Sequence, residues 1–213
     1  MRVRDFMHKD VITVDINTPI MAALETMKHN KIKRLPVTKN GKFKGLVTRA
    51  LIRDASPSSA TSLSIWEINY LISKMIVGDI MIKEPFTISP DIPVEEAIRM
   101  AKEKRVGAFP VIENGKLIGI ITQSDVSAIV SDALGLEEKD MNRITIKTST
   151  RRFGFLRDLV EVFDSHRIPI MNILNVPAKD NSHWFLILRV RAKDANIAIE
   201  DLKKKGFEVT DVT

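Results

Sequence analysis

The sequence predicts an α+β protein: two repeated β-α-β-β-α units forming a pseudo-symmetric pair, followed by a C-terminal βαββαβ unit. Three observations predict it. Residues 3–52 align with residues 77–126 without a gap and share 15 of 50 positions, so the first two-thirds of the chain is a duplicated unit of domain size. Asn-Gly pairs fall at matching places in the copies, Asn40-Gly41 and Asn114-Gly115, where both residues can take the positive φ of a tight hairpin. After Gly135 the pattern changes to strands and helices with no counterpart upstream.

Each copy opens on a leading segment (Val3–Met7, Val77–Met81) and a short strand (Val11–Val14, Phe86–Ile88). A helix then begins with a proline in its first turn, Pro19 or Pro93. Ile20, Ala23, Leu24 and Met27 in the first copy, and Val94, Ala97, Ile98 and Ala101 in the second, recur at i, i+3, i+4 and i+7, so each helix buries one stripe. Strands at Leu35–Thr38 and Phe109–Ile112 follow, with hairpin partners Phe43–Thr48 and Leu117–Thr122 that run into a last helix. The copies occupy residues 1–55 and 77–135. In the spacer, 56–76, Ser64 and Glu67 form a capping box for a helix carrying Trp66 and Tyr70, aromatics suited to intrachain packing or to self-association.

A polar linker, 136–142, leads to the last unit, 143–213. Its order is strand (Arg143–Thr148), helix (Phe155–Arg167), strand (Ile168–Val176), strand (His183–Arg191), helix (Asp194–Lys205) and strand (Phe207–Val212). Leu156, Leu159, Val160 and Phe163 give the first helix its stripe, and Ala195, Ala198, Ile199 and Leu202 the second; Gly206 is a C-terminal stop.

Composition narrows the function classes. With 213 residues, 44% hydrophobic and 28% charged, the chain is long and apolar enough to bury more than one core. No apolar run approaches the ~20 residues of a membrane span and MRVRDFMHKD lacks the apolar stretch of a signal peptide, so a cytoplasmic location without a membrane partner is expected. The absence of cysteine excludes disulfides, thiolate nucleophiles and cysteine-ligated metals. A net charge of +6 admits anionic partners, but the basic residues are dispersed among 27 carboxylates, so nucleic acid is not the expected one.

Residues 119–126, GIITQSDV, pass from a buried strand into a helix. Thr122 puts a hydroxyl at the strand end beside the unpaired N–H groups of the helix start, where an anion is favoured, and Asp125 can accept two hydrogen bonds from a vicinal diol. A phosphate site beside a diol acceptor suits a ribonucleotide, with Ile120, Val106 and Ala108 flanking a flat base. The alternative is that Ser124 or Asp125 merely caps the helix.

The paired VxDxM…T…P…A…PV…NGK…GxxT arrangement closely resembles a tandem of CBS domains, a Bateman module, over about residues 1–135. That resemblance implies that Gly-x-x-Thr-x-x-Asp binds the phosphate and ribose of an adenosine ligand such as AMP, ADP, ATP, S-adenosylmethionine or NAD, through Thr122 and Asp125. Ser124, Ile120, Val106, Gly107, Ala108, Phe86 and Thr87 are expected around it. The first copy keeps Thr48 but has Leu51 in place of the aspartate, so its cleft, with Arg34 and Arg49, is expected to bind more weakly or something else.

The C-terminal unit resembles an ACT domain, a ferredoxin-like regulatory module that often binds amino acids, which implies ligand contacts at Gly154, Phe155, Leu156 and Asn172. Where many members have Asp-x-Pro-Gly, this chain has Arg151-Arg152-Phe153-Gly154. Tandem CBS followed by ACT is similar to the layout of the AcuB (acetoin utilisation) family, which implies a cytoplasmic, homodimeric regulator of an unidentified protein in acetoin or related carbon metabolism. Rival classes are a nucleic-acid-binding or structural dimerisation protein, and an enzyme whose site forms only in the oligomer. Against catalysis, His8, His29, His166 and His183 stand far apart, no dinucleotide, P-loop or nucleophile-elbow motif is present, and Glu95-Glu96 and Glu137-Glu138 are adjacent rather than convergent. Neither catalytic residues, a metal nor a required cofactor is expected.

Overall fold

The computed structural model describes residues 1–55, 64–136, 140–148, 153–191 and 195–213. It divides into one unit of Met1–Ser127 and another of Ala128–Thr213. The first repeat runs α1 (Val3–Phe6), β1 (Val14–Asp15), α2 (Ile20–His29), β2 (Arg34–Lys39), β3 (Lys42–Thr48) and α3 (Arg49–Asp54). After the spacer helix α4 (Ile65–Lys74), the second runs α5 (Val77–Ile80), α6 (Val94–Lys104), β4 (Ala108–Glu113), β5 (Lys116–Thr122) and α7 (Gln123–Ala133). Asn40 and Gly41 (φ 52° and 72°) and Asn114 and Gly115 (φ 50° and 74°) make the expected left-handed hairpin turns.

The leading segments are single turns of helix. One expectation needs correction: the short strands after them are nearly lost. In the first repeat only Val14–Asp15 pairs, in parallel with Val37–Thr38, because the Val11 N–H turns back to the Lys9 carbonyl at 3.0 Å. In the second, Ile88 makes a single parallel bridge to Val111, with Pro85 and Pro90 nearby and without N–H groups to extend a ladder.

The leading turns are exchanged between repeats. Val3 is fully buried in the second repeat's core with Ile88, Ala97, Phe109, Val111 and Ile121, while Val77 is fully buried in the first repeat's core with Ile20, Leu35, Val37 and Val47. Backbone pairs fasten each exchange: His8 to Ile120 (2.9 and 3.0 Å) and Ile82 to Leu46 (2.9 and 3.0 Å). The approach is so close that a methyl on Gly45 would overlap the Ile82 carbonyl oxygen, and one on Gly119 would lie 2.5 Å from the Met7 sulfur and 3.1 Å from the His8 carbonyl oxygen. Arg4 adds an ion pair to Asp91 at 2.6 Å, and its hydrogen bond holds the Asp91 carboxyl below the usual range.

The spacer helix α4 starts on the expected capping box: the Ser64 N–H donates to Glu67 Oε2 at 2.8 Å and the Glu67 N–H to Ser64 Oγ at 3.3 Å. Ile72 packs on the first core, but Trp66 and Tyr70 are 84% and 63% exposed, so intrachain packing does not account for them.

The second unit continues with β6 (Asn142–Thr148), α8 (Phe155–Ser165), β7 (Ile170–Pro177), β8 (Trp184–Val190), α9 (Asn196–Lys204) and β9 (Glu208–Val212). Its antiparallel sheet has the order β7-β8-β6-β9, the βαββαβ arrangement expected. The α9 stripe is buried as read, but α8 is rotated: Leu156 and Val160 are exposed, and Leu159, Val162 and Phe163 fill the core with Phe155 against Phe207.

Gly45→Ala is expected to cost about 1–3 kcal/mol, since the blocking atom is backbone, and Gly119→Ala less, since the Met7 side chain can yield; urea midpoints check both. The lowered Asp91 pKa means stability present above the unfolded aspartate value and lost as pH falls through the folded one. Asp91→Asn is therefore expected to flatten the acid limb of the urea midpoint against pH.

Candidate functional site

Strand β5 runs into α7 with no intervening loop, which leaves the Thr122 N–H at the sheet end without a helical partner. Asp125, one turn on, fills that role. Its Oδ2 accepts hydrogen bonds from the Thr122 N–H (2.6 Å) and the Thr122 hydroxyl (2.8 Å). The Thr122 hydroxyl proton, expected to meet a phosphate, is thus directed to the carboxylate. Oδ1 points the other way, and His8 Nε2 stands 2.8 Å from it.

Asp125 and His8 line a cavity of about 360 Å³, within the size range of small-molecule sites. Ile120, Thr122, Ser124 and Asp125 form one wall. The opposite wall comes from the first repeat: Asp10, Val11 and Ile12, then Lys31, Ile32, Lys33 and Arg34. Lys31, in the left-handed region at φ 54°, turns the chain out of α2 so that this basic run meets the cavity. The lining combines a fixed carboxylate acceptor, Asp125, and a second carboxylate, Asp10, with three cations and the apolar Val11, Ile12, Ile32 and Ile120, a donor and acceptor set for a molecule carrying both a diol and an anion.

The remaining expected residues lie elsewhere. Val106, Gly107 and Ala108 line a separate cavity of about 600 Å³ with Ala97, Ile98, Lys102, Arg105 and Gln123; Thr122 borders both, Asp125 only the first. Phe86 and Thr87 line neither, and Phe86 lies half-exposed with Lys104 Nζ 5.4 Å from its ring centre. The wall residues missed by sequence reasoning, 10–12 and 31–33, are the first-repeat counterparts of 84–86 and 105–107, and Arg34, expected only at the first-repeat cleft, lines this cavity as well. The signal available was the basic run Lys31-Ile32-Lys33-Arg34 after the first helix. Thr48, Arg34 and Arg49 line a third cavity, of about 730 Å³, with Met21, Leu24 and Ile72. There the Thr48 hydroxyl accepts the Leu51 N–H at 3.2 Å and caps α3, with no carboxylate at position 51.

In the second unit Gly154, at φ 82°, is the N-cap of α8. The Asn172 amide donates to the Ala133 carbonyl, and Asn172 borders a cavity of about 310 Å³ that Gly154, Phe155 and Leu156 do not line. Arg151 and Arg152 lie outside the described residues. Among the described residues no group of three His, Cys, Asp or Glu side chains is placed to hold a metal, and no helix is long and apolar enough to cross a membrane. Asp180, Ser182 and His183 do sit together, but the carboxylate bonds the serine hydroxyl (2.8 Å) instead of orienting the imidazole, the reverse of a nucleophilic triad.

The Thr122–Asp125 bonds make a cap, and removing them has a cost apart from any ligand. Asp125→Ala is expected to lower stability by about 0.5–2 kcal/mol in chemical denaturation without ligand.

Comparison with known proteins agrees with this twofold build. A CBS domain-containing protein of Dictyostelium discoideum is 33% identical over 126 residues, 58% of this chain and 87% of that one. The inosine-5'-monophosphate dehydrogenase of Korarchaeum cryptofilum is 32% identical over 59% of this chain, a match that takes in only 23% of the enzyme. Among solved structures, CBSX2 in complex with AMP is 30% identical with a TM-score of 0.52, covering 62% of this chain and 97% of that one. The acetoin utilization protein AcuB of Vibrio cholerae shares the fold at 23% identity and a TM-score of 0.54, over 64% of this chain and 95% of that one. The CBS domain model matches residues 3–58 and again 77–132, more than half of the chain, and with the exchanged, duplicated architecture described above this places the protein in the CBS-domain family.

Proposed function

We propose that the protein is a non-catalytic, ligand-sensing regulator whose CBS pair, repeats 1–55 and 77–135, binds an adenosine-containing molecule in the Asp125 cavity. CBS pairs are regulatory modules, and in the dehydrogenase relative the matching segment is a minor part of the enzyme. One observation carries the reading: a carboxylate pinned through one oxygen by Thr122 lines a cavity of about 360 Å³ together with Lys31, Lys33 and Arg34. Asp125 Oδ1 would accept the ribose hydroxyls, Val11, Ile12 and Ile120 would flank the base, and the cations and Ser124 would meet the phosphate. AMP bound to CBSX2 supports this ligand class; ADP, ATP, S-adenosylmethionine and NAD share the adenosine. The Thr48 cavity, without a carboxylate at position 51, would hold such a ligand more weakly.

Regulation follows if the ligand binds one arrangement of the repeats more tightly than another, which shifts the population by its differential affinity. The C-terminal unit, 143–213, fits an ACT-like domain in its βαββαβ order and in its left-handed glycine at the start of α8. A small metabolite there, a homodimer, a cytoplasmic location and a place in acetoin or related carbon metabolism complete the proposal, the last drawing on the likeness to AcuB.

A thermal-shift panel of AMP, ADP, ATP, S-adenosylmethionine, NAD and amino acids is expected to raise the melting temperature with at least one adenosine compound, by mass action on the folded state. Isothermal titration of Asp125→Ala, at a temperature where the variant is folded, is expected to weaken that compound by about 1.5–3 kcal/mol. A flat panel, or unchanged affinity in the variant, would remove the assignment.

A further inference from the structure

We infer that His8 is a built-in competitor for the diol subsite, holding the one carboxylate oxygen that a nucleoside ligand needs. The inference rests on the assignment of the Asp125 cavity to an adenosine ligand. Asp125 is only 14% exposed in its side chain, and Oδ2 is saturated by the N–H and hydroxyl of Thr122. Oδ1 is therefore the acceptor left for a diol, and the His8 imidazole stands on it at 2.8 Å.

The way His8 is held suits a device that can step aside. Its backbone is locked to Ile120 by hydrogen bonds in both directions, while its side chain is 68% exposed. The imidazole can thus rotate off the carboxylate into water at little packing cost without disturbing the exchange of leading turns. Removing it gives back a carboxylate oxygen open to the cavity. Leaving it in place costs any diol the hydrogen bond that His8 already makes.

The charged groups that line the cavity with His8 are Asp10 on its own segment, Asp125 on α7, and Lys31, Lys33 and Arg34 after α2. The His8 bond to Asp125 is the contact a diol must displace.

The experiment is calorimetric titration of AMP into wild type, His8→Ala and His8→Gln at one pH. His8→Ala is expected to bind about threefold more tightly, and His8→Gln, which keeps a donor, about as tightly as wild type. Equal or weaker binding by His8→Ala would overturn the role of His8 while leaving the cavity assignment intact. Absence of AMP binding in all three proteins would instead overturn the cavity assignment, and this inference with it.

Discussion

The structure of the CBS pair depends on the exchange of two helical turns. Neither repeat closes its own core: Val3 fills the second and Val77 the first, and each is completely withdrawn from water. Burial of a valine side chain stabilises by roughly 1.5–3 kcal/mol, and each is fastened by a reciprocal pair of backbone hydrogen bonds. A repeat separated from its twin would expose that part of its core and leave the Leu46 or Ile120 backbone groups of β3 or β5 without these partners. The duplication is therefore tied to how each core is completed.

The same exchange makes the site. Because residues 3–8 leave the first repeat to lie along β5, the stretch that follows, Asp10 to Ile12, is carried across the end of β5 and faces Thr122 and Asp125. The basic turn after α2 completes the wall. A ligand in this cavity would touch both repeats at once, and its binding energy would depend on their relative placement. That dependence would give a small molecule leverage over the arrangement of the pair, since only differential affinity for two arrangements can shift their populations.

Much of the architecture was legible because it rests on local rules. Asn-Gly fixed both hairpins through its tolerance of positive φ, Ser64 with Glu67 fixed the start of α4, and apolar spacing fixed α2 and α6. What escaped were features set by distant partners. Nothing in the spacing of Val3–Met7 distinguishes a strand from a helical turn whose valine is buried in another repeat. The stripe of α8 was misread by one face because Leu156 and Val160 satisfy the helical period as well as Val162 does, and only the position of the sheet selects between them. In the site, Thr122 with Asp125 was legible as a local motif at a strand-to-helix junction. The opposite wall was not, because translation by one repeat gives Phe86 and Val106–Ala108 where the exchange brings residues 10–12 and 31–34.

The two halves also show how little sequence change separates a helix cap that is complete from one that leaves an acceptor over. Thr48 and Thr122 occupy equivalent strand ends, and both serve the start of the helix that follows. At Thr48 the hydroxyl accepts the Leu51 N–H directly, and the cap is complete with no other side chain. At Thr122 the hydroxyl donates instead, because Asp125 supplies the acceptor. A carboxylate has two oxygens, and capping consumes one. The second, held rigidly by the first and set in a half-basic cavity, has no structural task in the helix. It is available to whatever approaches across the repeat boundary, whether the imidazole of His8 or a hydroxyl pair from solution. The difference between the two cavities thus reduces to one side chain with one acceptor more than its helix needs.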